Sequence, residues 1–218
     1  MTKIIGLLTT VILLSYSLIG LSREELDLNK LIAFTRDKYD EDAVKRMVAW
    51  RKIIAEKKGL PEKEKLQVVN RFFNYFEFVD DIKLWGQENY WATPIEFIGL
   101  RGGDCEDFSV AKYFTLLELG VPIDKLRLIY VKSITLNQFH MVLAYYPTKT
   151  AVPLILDNID GEIKPAFKRK DLVPIISFNG KQLWINKQKG QGKTATSGKS
   201  LKDWDNLSNR YSLEAFKS

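Results

Sequence analysis

The chain has 218 residues, room for one core-bearing domain and little more, and its 45% hydrophobic and 28% charged content is that of an ordinary globular protein. The net charge of +6 is dispersed, with lysines mostly in predicted helices and the tail. No Arg-rich or aromatic-interleaved stretch occurs, which argues against a nucleic-acid partner.

In chain order, Lys3 precedes an apolar run from Ile4 to Leu14 and a stretch of small and apolar residues to Ser22. This reads as an export signal. No Ala-x-Ala site closes it and the run approaches membrane-spanning length, so a retained inner-membrane anchor is the alternative. Residues 1–22 are therefore set apart from a domain over 23–186, with 187–218 as a flexible segment and C-terminal helix.

Helix-period apolar positions span Glu24 to Leu31 and Asp42 to Lys57, the latter through Val44, Met47, Val48, Ile53 and Ile54. Lys58-Gly59-Leu60-Pro61 interrupts them, and Pro61 with Glu62 and Glu64 opens a helix through Val69, Phe73 and Phe76. An aromatic loop from Trp85 to Pro94 follows, in which Trp85 and Trp91 either wall a cleft or pack. Phe108 to Leu119 is helical and stopped by Gly120 and Pro122. Strand-like runs cover Leu126 to Val131, Phe139 to Tyr146, Leu154 to Leu156, Pro174 to Phe178 and Gln182 to Ile185. Asn186 to Ser200 reads as a loop or disordered segment, and a helix from Trp204 to Phe216 docks back through Trp204 and Leu207. Helices first and an antiparallel sheet second define an α+β class.

The chain holds one cysteine and one histidine, both in settings suited to chemistry. Cys105 stands in Gly102-Gly103-Asp104-Cys105-Glu106-Asp107, at the head of a helix. Asp104 is a natural N-cap and pairs with Asp107 at capping-box spacing. A first-turn cysteine meets free backbone N–H groups and the positive helix end, which favour a thiolate, and its own N–H is a candidate oxyanion donor. The glycines allow a sharp turn and leave room for a substrate chain. The competing reading is a capped helix with Cys105 as a small buried hydrophobe. His140 shares a strand face with Val142 and Ala144, and Asp157 ends the next apolar run, where it can orient an imidazole. A thiol leading a helix, a strand histidine and a strand-end aspartate are the layout of a cysteine hydrolase. Three carboxylates beside the thiol oppose its ionisation, so a positive partner is expected. Clustered oxygen ligands favour a hard ion such as calcium, and one Cys with one His does not make a zinc set.

With these residues the chain resembles the bacterial transglutaminase-like cysteine proteinases, over roughly Val69 to Trp184. The likeness is carried by Asn89 to Glu96, Gly103-Asp104-Cys105-Glu106-Asp107, His140-Met141-Val142-Leu143-Ala144 and Leu156-Asp157-Asn158, in that order. It implies a papain-like, transglutaminase-type fold with Cys105 as nucleophile, His140 as base and Asp157 as orienting acid. It also implies calcium dependence, with Asp104 and Glu106 at the metal-linked acidic positions. Members of this family are periplasmic, cut the N-terminal region of large surface adhesins at a small-residue site and so disperse biofilm. There an inner-membrane receptor responding to cyclic di-GMP sequesters the protease. An acyltransferase or amidase using the same three residues and a non-catalytic binding module are the other two readings, since the acceptor is chosen by the cleft.

Overall fold

The computed structural model describes residues 28–180, 183–185, 193–194 and 202–214. The predicted export or anchor segment 1–22 and most of the predicted loop 186–200 lie outside the described residues. Among the described residues no helix is long and apolar enough to cross a membrane.

The first helix, α1, covers 28–38, and α2 runs from Glu41 to Lys57 with Asp40 as N-cap, its carboxylate accepting from Ala43 N at 2.6 Å. Ala43, Val44, Met47, Trp50 and Ile54 form the buried stripe of α2. Of the apolar positions expected there, Val44, Met47 and Ile54 are buried, whereas Ile53 is half-buried and Val48 is exposed because it points away from the core. α3 is Glu62–Phe73, entered through Pro61. It ends one turn before Phe76 because the chain must turn there into β1, Glu77–Phe78. The short α4, Asp81–Leu84, and α5, Pro94–Gly99, flank the aromatic loop. Neither shows in hydrophobic periodicity, since both are shorter than two turns. Thr93 and Glu96 form a capping box on α5, and β2 is Gly102–Gly103, paired parallel to β1.

α6, Cys105–Glu118, is the central helix, with Val110, Ala111, Tyr113 and Leu116 fully buried. Gly120, at φ +84, ends it in the left-handed conformation glycine tolerates, and Val121 N–H closes back on the Leu116 carbonyl at 2.9 Å. The strands are β3 Leu126–Ser133, β4 Gln138–Tyr145, β5 Leu154–Leu156, β6 Lys164–Pro165, β7 Leu172–Phe178, β8 Leu183–Ile185 and β9 Lys193–Thr194. Their order is β6-β5-β4-β3-β7-β8-β9, with every pairing antiparallel. The β3–β7 register shifts where Tyr130 pairs with Ile176 but Val131 with Pro174, which skips Ile175. Pro174 has no N–H for the ladder, and a bulge absorbs the loss. The α+β class is therefore what the element order indicates, helices packed on an antiparallel sheet.

One face of the sheet packs on α6 through Leu126, Leu128, Met141 and Leu143. The opposite face carries the smaller cluster of Ile129, Val131, Val142, Ala144 and Ile155. α7, Lys202–Glu214, docks through Leu207, which has no exposed surface, and through Trp204, stacked on Phe114 with centroids 5.5 Å apart. Trp91 is 3% exposed and stacks on Phe178, so this tryptophan belongs to the core and does not wall a cleft.

Gly102 and Gly103 are buried and have ordinary negative φ, so a sharp turn is not why glycine stands there. A Cβ at Gly102 would overlap the Glu77 carbonyl oxygen, and one at Gly103 would overlap the Asp107 carboxylate. The space beside them is filled by the chain itself and is not left for a substrate. Gly102→Ala, facing backbone that cannot yield, should part β1 from β2 and cost about 1–3 kcal/mol. Urea unfolding of the purified variant measures this, and an unchanged midpoint would show that the β1–β2 contact is dispensable.

Candidate active site

Cys105 is the first residue of α6, half-buried, and its neighbours follow from the helix start. Asp104 Oδ1 accepts from Glu106 N at 3.2 Å, and Asp107 Oδ2 accepts from Asp104 N at 3.3 Å. With the Asp107 backbone N–H also donating to the Asp104 side chain, the Asp104–Asp107 pair forms the capping box expected from its spacing. Asp107 has no exposed surface, and its Oδ1 accepts from Ala92 N at 2.7 Å, tying the aromatic loop to the helix. The Cys105 thiol donates to Glu106 Oε2 at 2.7 Å and lies against the Met141 backbone, one residue from His140. Burial pushes the thiol strongly up, and the Glu106 and Asp104 carboxylates push it further. The like-charge opposition anticipated from sequence is therefore present, with Glu106 as the direct partner of the sulfur.

His140 is 2% exposed and Asp157 1%. Leu143 of β4 pairs with Leu156 of β5, so the next residue, Asp157, reaches the imidazole diagonally across the strands. His140 Nε2 and Asp157 Oδ1 are 2.8 Å apart, leaving Nδ1 as the ring nitrogen available to other chemistry. Asp157 Oδ1 also accepts from Ile159 N at 3.0 Å, and Asn74 Nδ2 holds the Asp157 carbonyl at 2.8 Å. Although burial raises the Asp157 pKa, the bond and charge of His140, the Ile159 N–H and Arg169 together hold it well below the usual carboxylate range. The geometry brings His140 and Asp157 into direct contact and sets Cys105 beside the same strand.

A second carboxylate cluster surrounds the helix start. Ligand atoms of Asp81, Asp104 and Asp107 lie within 4.8 Å of one another, and so do those of Asp104, Cys105 and Glu106. Asp81 is 4% exposed; its Oδ2 accepts from Tyr90 N at 2.5 Å, and its Oδ1 has no partner among the described residues. Burial drives the pKa values of Asp81, Asp104 and Asp107 upward, and mutual repulsion adds to the effect. The three carboxylates of Asp81, Asp104 and Asp107, with an unpartnered buried oxygen and no counter-charge among the described residues, fit a hard divalent cation such as calcium. Asp104 and Glu106 are the expected pair; Asp104 belongs to both groups, with Glu106 and Cys105 in one and with Asp81 and Asp107 in the other. Asp81 lies 23 positions before Asp104 on a four-residue helix, where no local pattern marks it.

Residues 33–188 match the family model of the bacterial transglutaminase-like cysteine proteinases. No functionally curated protein matches the chain. Three structures of LapG from Legionella pneumophila are similar to it. The EGTA-treated form has 43% identity and a TM-score of 0.74, covering 84% of this chain and 97% of that one. A further form has 44% identity and a TM-score of 0.73 over 84% and 97%. The calcium-bound form has 44% identity and a TM-score of 0.73 over 84% and 98%.

Lys112 lies two turns beyond Cys105 on α6 and is fully buried, its ammonium 5.9 Å from the Phe108 ring centroid. Burial lowers its pKa to about 7 from 10.5, opposed by the charge of Asp157. The folded value is below the unfolded one, so between them the unfolded chain binds more protons and stability rises with pH. Lys112→Met should stabilise the fold below pH ~7, with an advantage that shrinks towards pH ~10. Urea unfolding of both proteins across that range tests this; a difference independent of pH would contradict it.

Proposed function

Since the chain belongs to the bacterial transglutaminase-like cysteine proteinases, we propose that it is a calcium-dependent periplasmic cysteine endopeptidase that cuts the N-terminal region of a large surface adhesin, releasing it and dispersing biofilm. One observation carries the catalytic part. The sole cysteine heads a helix against the strand bearing the sole histidine, whose Nε2 is 2.8 Å from a buried carboxylate.

His140 Nδ1 takes the proton of the Cys105 thiol, and the thiolate attacks the scissile carbonyl carbon. Asp157 stabilises the imidazolium through Nε2–H and keeps Nδ1 turned to the reaction. The Cys105 backbone N–H, in the first helical turn where no intrahelical acceptor precedes it, serves the developing oxyanion. The tetrahedral adduct collapses to a thioester as the amine leaves with the proton from His140. Water, deprotonated by the same nitrogen, then hydrolyses the thioester and restores the thiol.

Asp104 with Asp81 and Asp107 on one side, or with Glu106 on the other, are the residues that would hold calcium, supported by the calcium-bound structure of the similar Legionella pneumophila LapG. Bound there, the ion supplies positive charge that offsets the carboxylates opposing thiolate formation. The thiol's bond to Glu106 and the carboxylates beside it oppose its ionisation, which is the charge such an ion would offset. By the same family likeness, an inner-membrane receptor responding to cyclic di-GMP is the proposed partner that withholds the protease from the adhesin.

Cys105→Ala and His140→Ala should abolish cleavage of a purified adhesin N-terminal region without loss of fold. Asp157→Asn should lower kcat by about 10²- to 10⁴-fold, because nucleophile and base remain while orientation is lost. Wild-type cleavage by Cys105→Ala would end the mechanism. Calcium should raise the thermal midpoint of the wild type by binding only the folded state, and less so in Asp81→Asn. Chelation should stop cleavage reversibly. Full activity and an unshifted midpoint in excess chelator would remove calcium from the proposal.

A further inference from the structure

Arg169 follows β6 and a single 3-10 turn, and it is only 6% exposed. Its Nε and Nη2 donate to Asp171 Oδ1 at 3.0 Å and Oδ2 at 2.8 Å, a two-pronged grip on one carboxylate. The same Nη2 donates to Asp157 Oδ2 at 2.8 Å, the oxygen that His140 does not use. Nη1 is buried without a partner among the described residues. The segment is pinned beside the site, since the Asp171 carbonyl accepts from Ile134 N at 2.8 Å beyond the end of β3.

Such an arrangement is a poor device for stability. A buried ion pair costs desolvation that apolar packing would avoid, and here one donor stays open as well. Its effect falls instead on Asp157. With Oδ1 shared between His140 and Ile159 N and Oδ2 held by Arg169, the carboxylate is fixed at both ends. Because Arg169 is also gripped by Asp171, its charge is divided, so it orients Asp157 without cancelling the negative charge that an imidazolium needs. The other charges near Asp157 are Lys112 from α6 and Asp160, 3.9 Å from Arg169 Nε.

We propose that Arg169, anchored by Asp171, is a positioning residue of the reaction, locking the Asp157 carboxylate so that His140 presents Nδ1 to Cys105. This rests on the protease reading, but part of its test does not. His140 is the only histidine, so its imidazole nitrogen and Nε2–H resonances are unique in the whole protein's NMR spectrum. Arg169→Gln should shift them and mix the tautomers; Arg169→Lys, which keeps charge but not the fork, should fall between. Asp171→Asn, at a partly exposed site, should move them in the same direction by less, and it serves if Arg169→Gln fails to fold.

In peptide cleavage, Arg169→Gln should lower kcat about tenfold or more with KM within about twofold. In an Asp157→Asn background the same change should cost less than about twofold, because the group it positions has lost its role. Unmoved imidazole signals in all three single variants, with equal losses in both backgrounds, would overturn the proposal. If instead Cys105→Ala cleaves like the wild type, the protease reading fails, and the NMR measurement still decides whether Arg169 sets the histidine.

Discussion

Asp107 buries a carboxylate completely, and the first turn of α6 is organised by the need to satisfy it. One oxygen takes the Ala92 N–H and the other the Asp104 N–H, so the aromatic loop, the helix cap and β2 meet on a single side chain. Gly103 has no Cβ because that carboxylate occupies the space. The position of Cys105 follows from this contact, since the cap that Asp107 completes places the thiol at the first helical residue. A carboxylate so buried favours its neutral form unless positive charge is near. The same interaction that builds the site thus creates the demand for a cation beside it.

The end of β5 carries the opposite arrangement at a second buried acid, Asp157. Asp157 is surrounded by His140, Arg169 and Lys112, and despite burial it is held in its ionised form. Two settings for buried acids therefore lie in one small domain, one short of positive charge around Asp107 and the other supplied with it around Asp157. General acid–base chemistry uses such divergence, because an ionised carboxylate can steady an imidazolium. α7 adds a restraint from outside: Arg210 binds Glu96, the Tyr90 hydroxyl and the Trp91 carbonyl, fastening the loop whose Tyr90 N–H holds Asp81. The carboxylate cluster is therefore braced by a segment more than a hundred positions away in sequence.

Much of this was legible in the residues. The Asp104–Asp107 spacing is a local hydrogen-bonding pattern, and it forms as read. The apolar stripe of α2 and the Gly120 stop reflect helix periodicity and a single backbone conformation, both local properties. The alternation that puts His140 with Val142 and Ala144 also holds, since His140 pairs across the strands with Val131 of the same face and pleating repeats every two residues. The two glycines before the cysteine differ from that reading. Their sequence suggests freedom to turn, whereas their reason is crowding by Glu77 and Asp107.

The order of a cysteine, a histidine and an aspartate, the elements carrying them, and the excess of negative charge around the thiol were determined by sequence alone. Each depends on neighbours a few positions apart. Tertiary structure decided which groups complete those residues: Asp81 for the carboxylate cluster, Arg169 for the free oxygen of Asp157, Asn74 for its carbonyl and Lys112 beneath it. These partners lie 12 to 83 positions from the groups they serve. No periodicity records such a pairing, because it arises only when the sheet register and the packing of α6 on β4 bring distant side chains into one low-dielectric space.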